Sequence, residues 1–165
     1  MPQITLDPVL TFTHPIVRKG ESCPILWDLH NSPATAEQLV PYSRGRGCAI
    51  GLKHLESRYA TSPRVTGLHI FCNLLPYEFG IYAYNKSGVT VCDVLQEIYD
   101  VVHKPLTLNE WEGLSYKQQE RVAKAFDMRW MGAAVPEKER RAGVRRVDCL
   151  LQVCTSSTTR LPNLH

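Results

Sequence analysis

The spacing of apolar positions changes repeatedly along this chain, and each change predicts a different kind of element. Over residues 4–29 short apolar pieces are separated by Pro8, Pro15 and Pro24, which predicts an extended arm running along edges and loops. Within "CPILWDLHNSP", Ile25–Leu29 reads as a short strand ended by Asn31-Ser32-Pro33. "YSRGRGCAIG" reads as an exposed loop about Gly45–Gly47. Two stretches then alternate with a period of two. In Gly67–Cys72, Leu68, Ile70 and Cys72 share one face and His69 and Phe71 the other; in Phe79–Tyr84, Phe79, Ile81 and Ala83 oppose Gly80, Tyr82 and Tyr84. The intervening "NLLPYE" is short enough for an antiparallel connection.

Beyond residue 89 the period becomes helical. Thr90 with Asp93 is a capping box carrying Asp in place of Glu or Gln, and Val91, Val94, Leu95 and Ile98 follow on one face until Pro105 stops the run. Thr107-x-x-Glu110 opens a short helix through Leu114. Ser115-x-x-Gln118 opens another in which Val122, Phe126 and either Arg129 or Trp130 stack on one side. "GAAVPEKERRAG" reads as a charged loop. "VRRVDCLLQV" then reads as a last strand, with Val147, Cys149, Leu151 and Val153 inward and Asp148 and Gln152 outward. The order predicts an α+β fold: a single compact domain over residues 1–154, with an extended arm at 1–24, a small mainly antiparallel sheet, and three helices between the central hairpin and the last strand. Residues 155–165 form a polar tail.

Composition narrows the class without naming a function. The 165 residues are 44% hydrophobic and 21% charged, ordinary for a globular domain. A net charge of +3 falls short of the clustered basic footprint of a dedicated nucleic-acid binder. The opening residues have no basic start leading into a continuous apolar run, and no stretch has the roughly 18 apolar residues a bilayer span needs, so a cytoplasmic protein without membrane contact is expected. The six cysteines include no C-x-x-C pair and are expected to be buried thiols rather than disulfides.

Several motifs occur in a fixed order: "LWDL", "ATSP" (Ala60–Pro63), "VTVCDVLQEIY" (Val89–Tyr99), "LTLNEWEGL" (Leu106–Leu114) and "GVRRVDCL" (Gly143–Leu150). Together, over about residues 6 to 151, they resemble an uncharacterised family of small intracellular proteins of mushroom-forming fungi. The resemblance implies a compact mixed α/β domain and basidiomycete origin, and it implies no reaction. Trp27-Asp28-Leu29, Thr90 with Asp93, and Arg146-Val147-Asp148 match the family's recurring motifs. The end departs from the pattern: "VCTSSTTRLPNLH" is polar where the family closes with aromatic and glycine residues.

The residues that could carry chemistry each have a plain structural alternative. On a strand, Asp28 and His30 would project from one face about 7 Å apart at Cα, the start of a general acid/base pair; alternatively they bind turn amides while Trp27 and Leu29 face the core. Arg146 and Asp148 would share a strand face suited to anion recognition, or would form a structural salt bridge, with an Arg146–Asp28 pair across neighbouring strands also conceivable. Asp93 is most simply a cap. Arg44, Arg46 and the segment Lys138–Arg146 could bind phosphate, but Glu137 and Glu139 dilute the charge and no interleaved aromatic offers a stacking platform. His14, Cys23 and His30 match no compact metal-ligand spacing. "GESCP" is one residue short of a nucleophile elbow, "GRGCAIG" and "GCAIGLK" fail the dinucleotide and phosphate-loop spacings, and H-E-x-x-H is absent, so no cofactor is expected.

Three functions follow from these readings. The first is a small binding domain that docks a protein or small ligand through its sheet face or the charged 137–146 segment, with Trp27, Tyr82, Tyr84, Arg145 and Arg146 as contact residues. The second is a cofactor-independent enzyme using Asp28, His30 and Asp148 as acid/base groups and Arg146 as anion binder. The third is an RNA or phosphate binder acting through the arginines.

Overall fold

A computed structural model describes residues 3–10, 25–42, 46–71 and 80–150. Most of the predicted arm, "GESCP", His14, Cys23, Arg44, the 72–79 connection, Leu151, Val153 and the polar tail lie outside the described residues. The chain divides into two compact units, residues 1–70 with 80–100 and residues 71–79 with 101–165. Short antiparallel ladders and several helices make the fold α+β.

In the first unit, β1 (Thr5–Leu6) pairs with β5 (Thr61–Ser62). β2 (Ile25–Leu26), β3 (Glu37–Tyr42) and β4 (Arg46–Gly51) form a three-stranded antiparallel sheet with β3 central. β6 (Gly67–Ile70) pairs with β7 (Ile81–Tyr84) in the register Gly67↔Tyr84 to Ile70↔Ile81. The predicted alternation of this hairpin is realised: Ile81 and Ala83 are buried while Tyr82 and Tyr84 are exposed. Helix α1 (Val91–Val102) starts in this unit, and its Val94 and Ile98 pack with Ala60, Ala83, Val89, Leu68 and Ile70. A second cluster joins Val9, Ala36, Leu55, Val91 and Leu95, with Trp27 and Ile25 against it.

In the second unit α2 (Leu108–Glu112), α3 (Tyr116–Met131) and α4 (Pro136–Ala142) follow one another. Both predicted boxes form. Thr107 Oγ1 accepts from Glu110 N while Glu110 returns to Thr107 N at 2.6 Å, and Gln118 Oε1 accepts from Ser115 N at 2.9 Å. Buried side chains include Leu114, Val122, Ala125, Val147 and Leu150. No helix among the described residues is long and apolar enough to cross a membrane.

The structure corrects four expectations. The strand at Ile25 stops at Leu26, because Asp28 folds the chain into a turn. The expected loop about Gly45–Gly47 is in its described part the start of β4, paired with β3 from Tyr42↔Arg46 to Glu37↔Gly51. The charged "loop" contains helix α4, with Pro136 at its first turn, Glu137 and Glu139 after it and Arg140 and Arg141 in the last turn, which suits the helix dipole. The last strand is absent from the described residues: Val147–Leu150 are helical and all four are buried, Asp148 included. Val147, Leu150 and Leu151 also fit a helical spacing, and the Asp148 carboxylate decides between the two by accepting from Arg145 N at 2.8 Å, as an acid does in a helix's first turn.

Candidate functional site

Asp28 and His30 come together, but in a turn rather than on a strand face. Asp28 Oδ1 accepts from His30 N at 3.0 Å and from the ring Nδ1 at 2.8 Å, and Oδ2 accepts from Asn31 Nδ2 at 3.0 Å. Partial burial opposes ionisation of Asp28, yet the His30 amide and ring outweigh it and hold the carboxyl below its ordinary value. An ionised carboxylate only accepts, so Nδ1 carries the proton. His30 Nε2, the nitrogen a substrate would need, is buried and meets no partner among the described residues. Trp27 Nε1 donates to Asn31 O at 3.0 Å, closing the turn from the other side. The group is a structural Asx-type turn.

Asp148 is fully buried, and its partner is Arg129 rather than Arg146. Arg129 Nε and Nη2 meet its two oxygens at 2.7 and 3.0 Å. Arg129 also reaches Glu139 Oε2 at 2.5 Å and the Gly143 carbonyl at 2.9 Å, and Arg145 pairs with Glu139 at 3.2 Å. One guanidinium therefore ties α3, α4 and the helical turn at 147–150. Burial works against the charge of Arg129, and the two carboxylates overcome it and raise its pKa. Arg146 pairs instead with Glu110 at 2.9 Å. Burial of Glu110 is likewise outweighed by hydrogen bonds from Thr107 and by Arg146, which hold its pKa below the ordinary value. Cys149, between these acids, is pushed up to about 11 by burial and then by Asp148 and Glu110, so it is an inert thiol at neutral pH.

Sequence reasoning missed Arg129 as the hub, although it had named Arg129, as the alternative to Trp130, on the apolar side of α3. A charge on such a stripe is the signal for a buried partner.

Asp93 and four arginines of the basic segment are also engaged. Asp93 caps α1: it accepts from Thr90 N at 2.9 Å and Asn85 Nδ2 at 2.8 Å, while Asp93 N donates to Thr90 Oγ1 at 3.1 Å. Partial burial of Asp93 is outweighed by these bonds and its pKa is lowered. In the basic segment Arg140 lies over the Trp130 ring at 5.3 Å and Arg141 faces Glu137 at 3.9 Å, while Arg145 and Arg146 hold the carboxylates described above. No group of three or more His, Cys, Asp or Glu side chains arranged to hold a metal occurs among the described residues.

The outer face of the β6–β7 hairpin is different. Tyr82 and Tyr84 are 45% and 59% exposed, and their rings lie 6.4 Å apart with an interplanar angle of 22°. His69, cross-strand from Tyr82, meets it at 4.6 Å. The Tyr82 ring leans over Gly67 on the diagonal, where a Cβ would stand 2.2 Å from the phenol oxygen. Glycine at that position lets the ring lie across the sheet, and the buried faces of Ile81 and Ala83 hold the strand from below. The result is a short aromatic platform on a packed support.

Residues 25–155 match a family of unknown function, DUF6699. No curated protein and no solved structure matches the chain.

Proposed function

We propose that this chain, which belongs to the DUF6699 family of unknown function, is a non-catalytic binding domain that docks an extended protein segment on its hairpin face, inside a fungal cell as its resemblance implies. The observation that carries this reading is the exposed Tyr82–Tyr84 pair with His69 beside it. Tyrosines supply large contact area at low entropic cost and hydrogen-bond at their tips, and aromatic-lined surfaces of this kind receive proline or apolar side chains of extended peptides. The acid/base groups that an enzyme would need are meanwhile occupied in a turn, a helix cap and a buried ion network.

The test is selection of a random-peptide phage library on the purified protein, counter-screened with Tyr82→Ser/Tyr84→Ser. Peptides rich in proline or aromatic residues should bind with dissociation constants on the order of micromolar and lose at least about tenfold in the double variant, whose melting temperature should be unchanged. Absence of enrichment, or peptides that bind both proteins equally, overturns the reading.

A further inference from the structure

A second feature of the first unit stands apart from the aromatic face. A hollow of about 370 Å³ is lined by Arg64, Thr66, Lys86, Ser87 and Gly88. Among the described residues no carboxylate lies within ion-pair distance of Arg64 or Lys86, and none hydrogen-bonds the Thr66 or Ser87 hydroxyl. Arg121 and Arg140 likewise have no carboxylate partner among the described residues, and what sets Arg64 and Lys86 apart is that both line one hollow.

The hollow is built rather than incidental. Arg64 lies over the Tyr59 ring at 5.6 Å and donates to its hydroxyl at 3.1 Å through Nη1. Beneath them is Gly88, with φ at +111°, where a Cβ would come within 2.9 Å of the Tyr59 ring and 3.2 Å of Arg64 Cδ. Glycine thus permits both the backbone turn and the close packing that seats the arginine. The turn carrying Lys86 and Ser87 is pinned by Asn85, which accepts from Ser87 N and Gly88 N at 3.0 Å each, and Asn85 is itself tied to the α1 cap through Asp93. A guanidinium, an ammonium and two hydroxyl side chains among the lining residues match a tetrahedral dianion in charge and in hydrogen-bond donors. The volume exceeds that of the anion alone. Arg64 is also the wall of a second hollow, of about 650 Å³, bordered by Leu6, Pro8 and Tyr59, with room for the group the anion is attached to.

We propose that the Arg64–Lys86 hollow is a receptor for a phosphate monoester. The proposal is independent of the peptide-docking reading and stands or falls separately from it. The experiment is an amide-resolved NMR titration of the full chain at low ionic strength, first with inorganic phosphate, then with a phosphoserine peptide and with a sugar phosphate. Saturable shifts should centre on Thr66, Lys86, Ser87 and Gly88. Lys86→Gln, at an exposed position, should keep the fold and weaken binding roughly tenfold, with Arg64→Gln/Lys86→Gln weaker still, because each removes a charge-assisted contact. Lys138→Gln/Arg141→Gln, with the same loss of charge elsewhere, should bind as the parent does. Tighter binding of the peptide than of phosphate identifies a phosphorylated protein as the source, and tighter binding of the sugar ester a phosphorylated metabolite. Binding of phosphate with rejection of both esters, equal binding by Arg64→Gln/Lys86→Gln, or absence of saturable shifts overturns the proposal.

Discussion

Arg129 shows how much one side chain can organise. Its guanidinium satisfies a fully buried Asp148, a partly buried Glu139 and a backbone carbonyl at once, at distances of 2.5 to 3.0 Å. Replacing such a network wholesale with apolar groups can be neutral, but removing one member strands the other charges in a low-dielectric site. Arg129→Met should therefore cost about 3–5 kcal/mol, measured by urea unfolding, and Arg129→Lys should recover little because an ammonium cannot make the two-pronged contact. A loss below about 1 kcal/mol in the methionine variant would mean that Asp148 is relieved by other groups. Asp28 teaches the complementary lesson. Its neighbours in sequence, His30 and Asn31, are its partners in space, and that was one of the two readings its sequence allowed.

At the scale of elements, legibility depended on whether the deciding interaction was local. The three capping boxes form because donor and acceptor lie three residues apart, and their helices begin where the sequence says. The β6–β7 hairpin was equally plain, since alternation encodes one buried face directly. β3 and β4 were not, because the glycines of "YSRGRGCAIG" read as a loop while the ladder from Glu37↔Gly51 to Tyr42↔Arg46 is a matter of backbone pairing. Gly67 belongs to this scale too. Its φ is unexceptional, and what demands glycine there is the Tyr82 ring from the partner strand. Gly67→Ala should displace that ring. The expected outcome is a changed near-ultraviolet tyrosine circular dichroism and at least about fivefold weaker binding of any peptide selected on the platform, with little change in melting temperature because alanine is no worse than glycine in a strand. An unchanged spectrum and affinity would show that the ring does not need the space.

For the whole molecule the acid response follows from three carboxyls. Asp28, Asp93 and Glu110 all lie below their ordinary values of 3.8, 3.8 and 4.5, each because hydrogen bonds outweigh partial burial. Each binds a proton more weakly in the folded chain than in the unfolded one, so their contribution to stability is complete above about pH 5 and is lost as pH falls through the folded values. The urea midpoint should accordingly stay level from pH 7 to about pH 5 and fall steadily below it. Asp93→Asn should lower the neutral-pH midpoint and flatten the acid limb. A midpoint that stays level down to about pH 3 would remove these three groups from the account of stability.

By itself the sequence determined the α+β class, the starts of the three boxed helices, the two faces of the central hairpin and the capping role of Asp93, because each depends on periodicity or on partners within a few residues. Only the tertiary structure decided that Asp148 is buried against Arg129, that Arg146 belongs to Glu110, and that Arg64 and Lys86 line one hollow. Those outcomes join residues from 19 to 36 positions apart in the first two cases and across separate turns in the last. Such pairings are chosen by burial and by competition among charges, and neither is written in the local spacing of residues.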